Sequence, residues 1–160
     1  MQSRLNYKTV RSEIVDNLIR RMDIFLADLG EQDKTCVEGG VRPVVIISNN
    51  INNKCSPLIT AAPISSKINR LYLPGHVLIF SNDVKNVTRK FKTGTILLEQ
   101  ITTIDKRQLI KLIGRIASQK RQRIINQRLK EFLALNRSLK SSYENRKFLK
   151  KYSRGIKTDL

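Results

Sequence analysis

Gly39-Gly-Val-Arg-Pro-Val-Val-Ile-Ile-Ser48 is the stretch that decides the fold, because a glycine turn leads directly into a β-branched run. Apolar residues at consecutive rather than alternate positions are typical of a strand buried on both faces. Pro43 keeps Arg42 out of helical backbone conformations. We therefore expect a guanidinium held at the mouth of this strand, where it can clamp a phosphate. The alternative is an ordinary surface arginine in a salt bridge.

Further short apolar segments on both sides of this stretch predict more strands. They are residues 23–29 before it and residues 58–64, 76–80 and 95–98 after it. Pro63 suggests that the strand over 58–64 lies at an edge or contains a bulge. The polar residues 30–40 predict a loop, and residues 49–57 predict a turn-rich connection. Together these signals indicate an α+β fold built on a small antiparallel barrel or curled sheet.

Three segments have the apolar spacing of helices. The first covers about residues 9–21. The second is expected to start after Asp105, a candidate N-cap with Gln108 in the capping-box position, and to pack on the barrel through Leu109, Leu112, Ile113 and Ile116. The third covers residues 124–139. We expect an N-terminal amphipathic helix at 1–21, a compact domain at 22–117 and a basic helical extension at 118–160.

The charge of the 160 residues is strongly positive and unevenly placed. The chain has 31 Lys and Arg against 13 Asp and Glu, a net charge of +18. Residues 107–160 contain 16 basic and 3 acidic residues, whereas residues 1–106 contain 15 and 10. This composition predicts a polyanionic partner, first nucleic acid and then an anionic membrane or an acidic protein. No stretch is apolar enough for a transmembrane helix or a secretory signal, so we expect a cytoplasmic protein.

The cysteines and the single histidine limit the available chemistry. Two cysteines, Cys36 and Cys55, do not make a disulfide framework, and we expect free thiols. One histidine, His76, without a Cys-x-x-Cys motif, is too little for a typical zinc site. We therefore expect neither a metal nor another cofactor.

Five segments, in order, resemble the MazF/PemK toxins of type II toxin–antitoxin systems. They are residues 23–29, 39–49, 58–65 (Leu-Ile-Thr-Ala-Ala-Pro-Ile-Ser), 73–77 (Leu-Pro-Gly-His-Val) and 97–106 (Leu-Leu-Glu-Gln-Ile-Thr-Thr-Ile-Asp-Lys). The resemblance covers about residues 22–117. It implies an SH3-like, CcdB/MazF-like barrel that dimerises. The family's first strand usually begins Gly-Asp, whereas Met22 stands in the glycine position here, so an altered turn is expected.

The resemblance also implies a sequence-specific, metal-independent endoribonuclease that cleaves single-stranded RNA. Arg42 matches the family's catalytic arginine, and Ser65 falls where the family usually has a catalytic Thr or Ser. RNA carries its own nucleophile, so cleavage needs positioning and charge stabilisation more than a metal. Arg42 can stabilise the pentacovalent phosphorane, and Ser65 can bind a phosphate oxygen or the 2′-hydroxyl. The expected products end in a 2′,3′-cyclic phosphate and a 5′-hydroxyl.

Other residues are candidates for RNA contact, and each has a plain structural alternative. Ser66 and Lys67 follow Ser65, where an ordinary turn is the alternative. Arg89 and Phe91 offer a charge and a ring for base stacking, or a solvated loop with Phe91 packed in the core. Gln100 can bind a ligand or hold a neighbouring loop. The general base is left open, with His76 as a candidate whose alternative is a structural role.

The partners implied by the resemblance are single-stranded RNA, a second copy of the chain and a cognate antitoxin. The antitoxin is expected to cover the RNA groove with an acidic tail and to link the complex to operator DNA, which gives an indirect DNA-binding role. No membrane partner is expected. Two other functions are compatible with the pattern: a CcdB-like toxin that inhibits gyrase, and a barrel that binds RNA without cleaving it.

Overall fold

The structure, a computed structural model, describes residues 19–31, 36–68, 70–85, 88 and 91–135. The strands within these residues are β1 (Asp23–Asp28), β2 (Val41–Ile46), β3 (Leu58–Ser65), β4 (His76–Ile79), β5 (Val84–Lys85), β6 (Gly94–Leu97), β7 (Thr102–Asp105) and β8 (Leu109–Ile116). The helices are α1 (Asn50–Cys55) and α2 (Gln119–Phe132), and 3₁₀ turns cover Ser81–Asp83, Leu98–Gln100 and Lys106–Gln108. No helix in this part of the chain is both long and apolar enough to cross a membrane.

The described strands pair in one antiparallel sheet that curls around β3. The order is β4-β6-β3-β2-β1-β8-β5, and β7 lies beside β3 off this path. The first half of β3 pairs with β7 through residues 58–61, whereas its end pairs with β6 through Ile64 and Ser65. This change of neighbour along one strand folds the sheet into a half-barrel. The predicted curled antiparallel sheet is confirmed.

Pro63 lies inside the sheet, so of the two expectations for its strand, an edge position or a bulge, the edge position is wrong. It pairs with Val44 of β2, while β3 also has β7 and β6 on its other side. The contact with β7 ends at Ala61, and the contact with β6 begins at Ile64. Proline is tolerated here because residues 62 and 63 pair with neither β7 nor β6. A backbone N–H is therefore not needed on that side of β3.

The β-branched run of β2 is buried on both faces, as predicted. Val45 and Ile47 belong to one core cluster, whereas Val44 and Ile46 belong to a second one. Successive side chains of a strand point to opposite faces, so an unbroken apolar run can contribute to two cores. The first cluster lies beneath α2, because Ile125 and Leu129 of that helix are buried in it.

The helix predicted after Asp105 is wrong. Asp105 and Gln108 do form the capping box, but it closes the single 3₁₀ turn Lys106–Gln108. The following residues form β8, which pairs with β1, for example Phe25 with Leu112. Residues 102–105, just before this turn, form the strand β7. Pairing with strands that are distant in sequence determines the secondary structure of both segments. The helical spacing of leucine and isoleucine carries no information about that pairing.

Residues 49–57, predicted as a turn-rich connection, contain the short helix α1. The Asn49 side chain accepts a hydrogen bond from the Asn52 N–H at 2.8 Å and caps the first turn. Asn53 is fully buried, and its side chain contacts Ser48. Asparagine is a good N-cap as well as a turn residue, so the same composition permits both structures.

Of the other predicted helices, the third, expected over residues 124–139, corresponds to α2, which begins earlier at Gln119 and ends at Phe132; residues 133–135 are not helical. Most of the first, residues 9–18, lies outside the described residues, as does the chain after residue 135; Ile19–Arg21 are not helical. The turn before β1 keeps a left-handed residue, because Met22 has φ +71°. Such a conformation favours glycine, but the Met22 side chain is buried in the first core cluster and its packing offsets the strain.

Candidate active site

Arg42 lies at the start of β2, next to the glycine turn. Gly40 has φ +69°, in the region that favours glycine, and its N–H donates to the Gly30 carbonyl at 2.6 Å. Leu29 in turn donates to the Gly40 carbonyl at 3.0 Å, and Ala27 pairs with Arg42. The turn is therefore closed against the end of β1, and it places Arg42 at the start of β2, in a salt bridge as the alternative expected.

The Arg42 guanidinium is held by two acceptors from its own turn. Its Nε donates to the Gly39 carbonyl at 2.6 Å, and its Nη1 pairs with the Glu38 carboxylate. Burial lowers the pKa of Arg42 below its ordinary value. Arginine still remains protonated at neutral pH, so the group is an oriented cation whose Nη2 side can receive an anion.

Ser65 lies at the end of β3, on the strand beside Arg42. Val44 and Pro63 face each other in the β2–β3 ladder. Arg42 precedes Val44 by two residues, and Ser65 follows Pro63 by two, so both lie beyond this pair at the same end of adjacent strands. Ser65 is 9% exposed, and its Oγ accepts a hydrogen bond from the Lys67 N–H at 3.3 Å. The two predicted catalytic residues therefore share one end of the sheet.

Ser66 and Lys67 are exposed and follow Ser65 out of the sheet. The Lys67 carbonyl accepts a hydrogen bond from Thr95 Oγ1 at 3.0 Å, and Thr95 pairs with Ser65 across the β3–β6 ladder. The segment that begins at Ser65 is therefore tied to β6. An exposed ammonium beside the Arg42 end of the sheet extends the positive surface there.

Gln100 holds the loop that carries Glu38. Its Oε1 accepts a hydrogen bond from the Glu38 N–H at 2.7 Å, and its Nε2 donates to the Cys36 carbonyl at 3.2 Å. Of the two roles expected for Gln100, the structure shows the loop contact. Both hydrogen bonds reach across 62 or more residues, so they fix the loop against the 3₁₀ turn Leu98–Gln100.

His76 is buried at the start of β4, and its Nε2 lies 2.6 Å from Glu99 Oε1. A Cβ placed on Gly75 would come within 2.5 Å of Glu99 Oε2, so glycine permits this close approach. The imidazole is thus held against the same 3₁₀ turn that carries Gln100. This arrangement matches the structural alternative for His76.

The stacking role expected for Phe91 does not fit the structure. Phe91 is 8% exposed and packs in the first core cluster, so its ring face is not presented to a base. The alternative, a core position, is what the structure shows. An aromatic residue within a basic segment gives no signal that separates these two uses. Arg89 lies outside the described residues.

Glu38 is the residue of this site that the sequence did not single out. Its loop is polar and acidic, and nothing in that pattern points to Arg42. The one available signal is its place four residues before Arg42. Because the contact depends on the loop being folded back by Gln100, local sequence could not establish it.

Comparisons with known proteins agree with the fold. The family model described as PemK-like, MazF-like toxin of type II toxin–antitoxin system matches residues 20–133. A mycobacterial endoribonuclease in complex with its cognate antitoxin has 23% identity and a TM-score of 0.57, over 74% of this chain and 97% of that chain. The Mycobacterium tuberculosis toxin MazF-mt6 has 18% identity and a TM-score of 0.55, over 71% and 98%. MazF in a MazE–MazF complex from Deinococcus radiodurans has 16% identity and a TM-score of 0.56, over 73% and 97%. The matched region includes α2.

Proposed function

The chain belongs to the PemK-like, MazF-like toxins of type II toxin–antitoxin systems, and from that membership we propose that it is an endoribonuclease that cleaves single-stranded RNA without a metal. Similar folds include proteins described as endoribonucleases. The observation that carries the proposal is the placement of Arg42 and Ser65 at the same end of adjacent strands, with the guanidinium oriented by its own turn.

In the proposed reaction the 2′-hydroxyl of the RNA attacks the neighbouring phosphorus. Arg42 binds the phosphate and stabilises the negative charge that grows on the phosphorane. Ser65 donates a hydrogen bond to a non-bridging oxygen and holds the phosphate in line with the attack. The products end in a 2′,3′-cyclic phosphate and a 5′-hydroxyl. Lys67 and Ser66 contact the RNA backbone beside the cleavage point.

The proposed partners follow from the family and from the charge. A cognate antitoxin with an acidic tail binds the basic toxin, and its operator DNA is reached through the antitoxin. The toxin acts as a homodimer in the cytoplasm. Residues 107–160, with 16 basic and 3 acidic residues, raise the rate of capture of both RNA and the antitoxin tail.

The test is incubation of the purified chain with a long single-stranded RNA in excess EDTA, followed by mapping of the 5′-hydroxyl ends. Cleavage at a recurring sequence supports the proposal. A substrate with one 2′-deoxy substitution at the mapped nucleotide should not be cut, because the nucleophile is missing. Continued cutting of that substrate would exclude the mechanism.

Two arginine variants provide the matched comparison. Arg42→Ala should lose at least about 10³-fold in cleavage rate, since a charge-stabilising group is removed from the transition state. Arg107→Ala should cleave normally, because Arg107 is exposed and pairs with Asp105 outside the site. RNA binding without cleavage by the unaltered chain would favour the non-catalytic barrel. Inhibition of gyrase without RNA cleavage would favour the CcdB-like function.

A further inference from the structure

The proposed cleavage needs a group that accepts the proton of the attacking 2′-hydroxyl. Arg42 remains protonated, so it does not serve as that base. His76 is buried and its Nε2 is engaged by Glu99 Oε1 at 2.6 Å. Among the described residues, Glu38 is the carboxylate seen in contact with the Arg42 guanidinium.

Glu38 and an RNA phosphate would share one guanidinium. The Glu38 carboxylate occupies Nη1 of Arg42 and the Gly39 carbonyl occupies Nε, which leaves the Nη2 side for the phosphate. Because the guanidinium is a rigid planar fork, two groups on adjacent N–H donors lie next to each other. The 2′-hydroxyl is on the ribose whose 3′-oxygen carries the phosphate that it attacks. A phosphate bound on the Nη2 side, together with the 2′-hydroxyl next to it, would therefore lie beside the carboxylate.

The loop holds Glu38 in this position through its backbone as well as through its side chain. Gln100 accepts from the Glu38 N–H at 2.7 Å, and the side chains of Glu38 and Arg42 are each 26% exposed. The charged group in contact with the carboxylate is the Arg42 guanidinium on β2. At this exposure the carboxylate is accessible to an incoming substrate.

We propose that Glu38 is the general base of the reaction, an inference that rests on the ribonuclease activity proposed above. The Glu38 carboxylate takes the proton of the 2′-hydroxyl while the 2′-oxygen forms its bond to phosphorus. The bond between phosphorus and the 5′-oxygen breaks, and its electron pair leaves with that oxygen, which takes a proton from water. Glu38 then returns its proton to solvent, so the cyclic phosphate forms with no net gain or loss of protons.

The test compares Glu38→Gln with the unaltered chain in single-turnover cleavage of an RNA oligonucleotide across pH. Glutamine keeps an oxygen for Arg42, so the guanidinium stays oriented while the proton acceptor is lost. The cleavage rate should fall about 10²–10⁴-fold, the usual contribution of general base catalysis. The rise of the rate with pH on the acid side should disappear. Binding of a non-cleavable 2′-deoxy oligonucleotide should be unchanged or tighter, because a negative charge is removed.

Two further variants control this experiment. Glu38→Asp retains a carboxylate on a shorter side chain and should recover part of the lost rate. Glu131→Gln removes the same charge from helix α2, where Glu131 pairs with Arg128, and should cleave normally. Circular dichroism melting shows whether each variant is folded.

The outcomes separate the two proposals. If the unaltered chain cleaves RNA and Glu38→Gln cleaves it within threefold or faster, Glu38 is not the base, and the ribonuclease assignment stands. If Glu38→Gln loses binding in proportion to rate, the residue only supports Arg42 and the inference fails. If the unaltered chain does not cleave RNA, both proposals fail.

Discussion

The Gln100 side chain accepts a hydrogen bond from the Glu38 N–H at 2.7 Å and thereby links the 3₁₀ turn after β6 to the loop before β2. Glu38 in turn pairs with Arg42. The hydrogen bonds of Gln100 go to the backbone of Cys36 and Glu38, so Gln100 fixes the partner of Arg42 and not Arg42 itself. It is a positioning residue, and changes at Gln100 should affect the chemical step through Glu38.

Gln100→Ala should reduce kcat for RNA cleavage about 10-fold with little change in the Kd of a 2′-deoxy substrate. The loop loses two hydrogen bonds, each contributing about 1 kcal/mol net, and Glu38 is no longer held in place. Gln127→Ala, on the exposed surface of α2, is the matched control. A large rise in Kd with unchanged kcat would show instead that Gln100 binds RNA directly.

Gly94→Ala should disturb Ser65 more than Gly75→Ala disturbs the His76 region. A Cβ on Gly94 would lie 2.6 Å from the Ser65 carbonyl oxygen, a backbone atom that cannot move without bending β3. At Gly75 the nearest atom is Glu99 Oε2, at the end of a side chain. We expect Gly94→Ala to cost about 2–3 kcal/mol in urea unfolding, at the upper end for overpacking, and to lower cleavage. Equal losses in the two variants would contradict this reasoning.

The buried ion pair between Asp83 and Arg121 should be important for holding α2 on the sheet. Arg121 Nε donates to Asp83 Oδ2 at 2.8 Å, both side chains are 12–13% exposed, and the guanidinium lies 5.1 Å from the centroid of the Phe80 ring. Asp83→Ala leaves Arg121 without its counter-charge and should reduce the free energy of unfolding by about 3 kcal/mol.

Glu131→Ala is the control for that measurement, because it breaks the more exposed pair with Arg128. Its expected cost is below about 1 kcal/mol. Urea denaturation at constant ionic strength measures both variants. Similar small losses would mean that the Asp83–Arg121 pair does not hold the helix.

The fold could be predicted from the sequence wherever the pattern of a segment is compatible with only one secondary structure. The run Val44–Ile47 is apolar at every position, and only burial on both faces satisfies it. The segment Leu109–Ile116 is different, because its apolar spacing is compatible with a helix. Its β-branched residues and its pairing with β1 make it a strand, and that pairing is a property of the whole sheet.

The site divides in the same way. Arg42 could be identified because the neighbouring residues determine its backbone: the glycines permit the turn before it, and Pro43 restricts its conformation. Glu38 could not, since its contact with Arg42 depends on Gln100, which is 62 residues away. Phe91 shows the converse limit, because a ring next to basic residues packs in the core when the surrounding strands provide the space.

Acid should remove the stabilisation that Asp105 provides. Hydrogen bonds from the Arg107 side chain and backbone lower the pKa of Asp105 from 3.8 to about 2. Between these pH values the unfolded state binds more protons than the folded state, so stability present above about pH 4 is lost as the pH falls towards 2. Asp105→Asn keeps the capping acceptor but cannot titrate. The urea midpoint of the unaltered chain should exceed that of Asp105→Asn at pH 5, and this difference should become smaller at pH 2. In an Arg107→Ala background the effect of Asp105→Asn on the urea midpoint at pH 5 should be smaller, because the Arg107 side chain is the main cause of the lowered pKa. If the difference in urea midpoint between the unaltered chain and Asp105→Asn does not change with pH, the pKa of Asp105 is the same in the folded and unfolded chain.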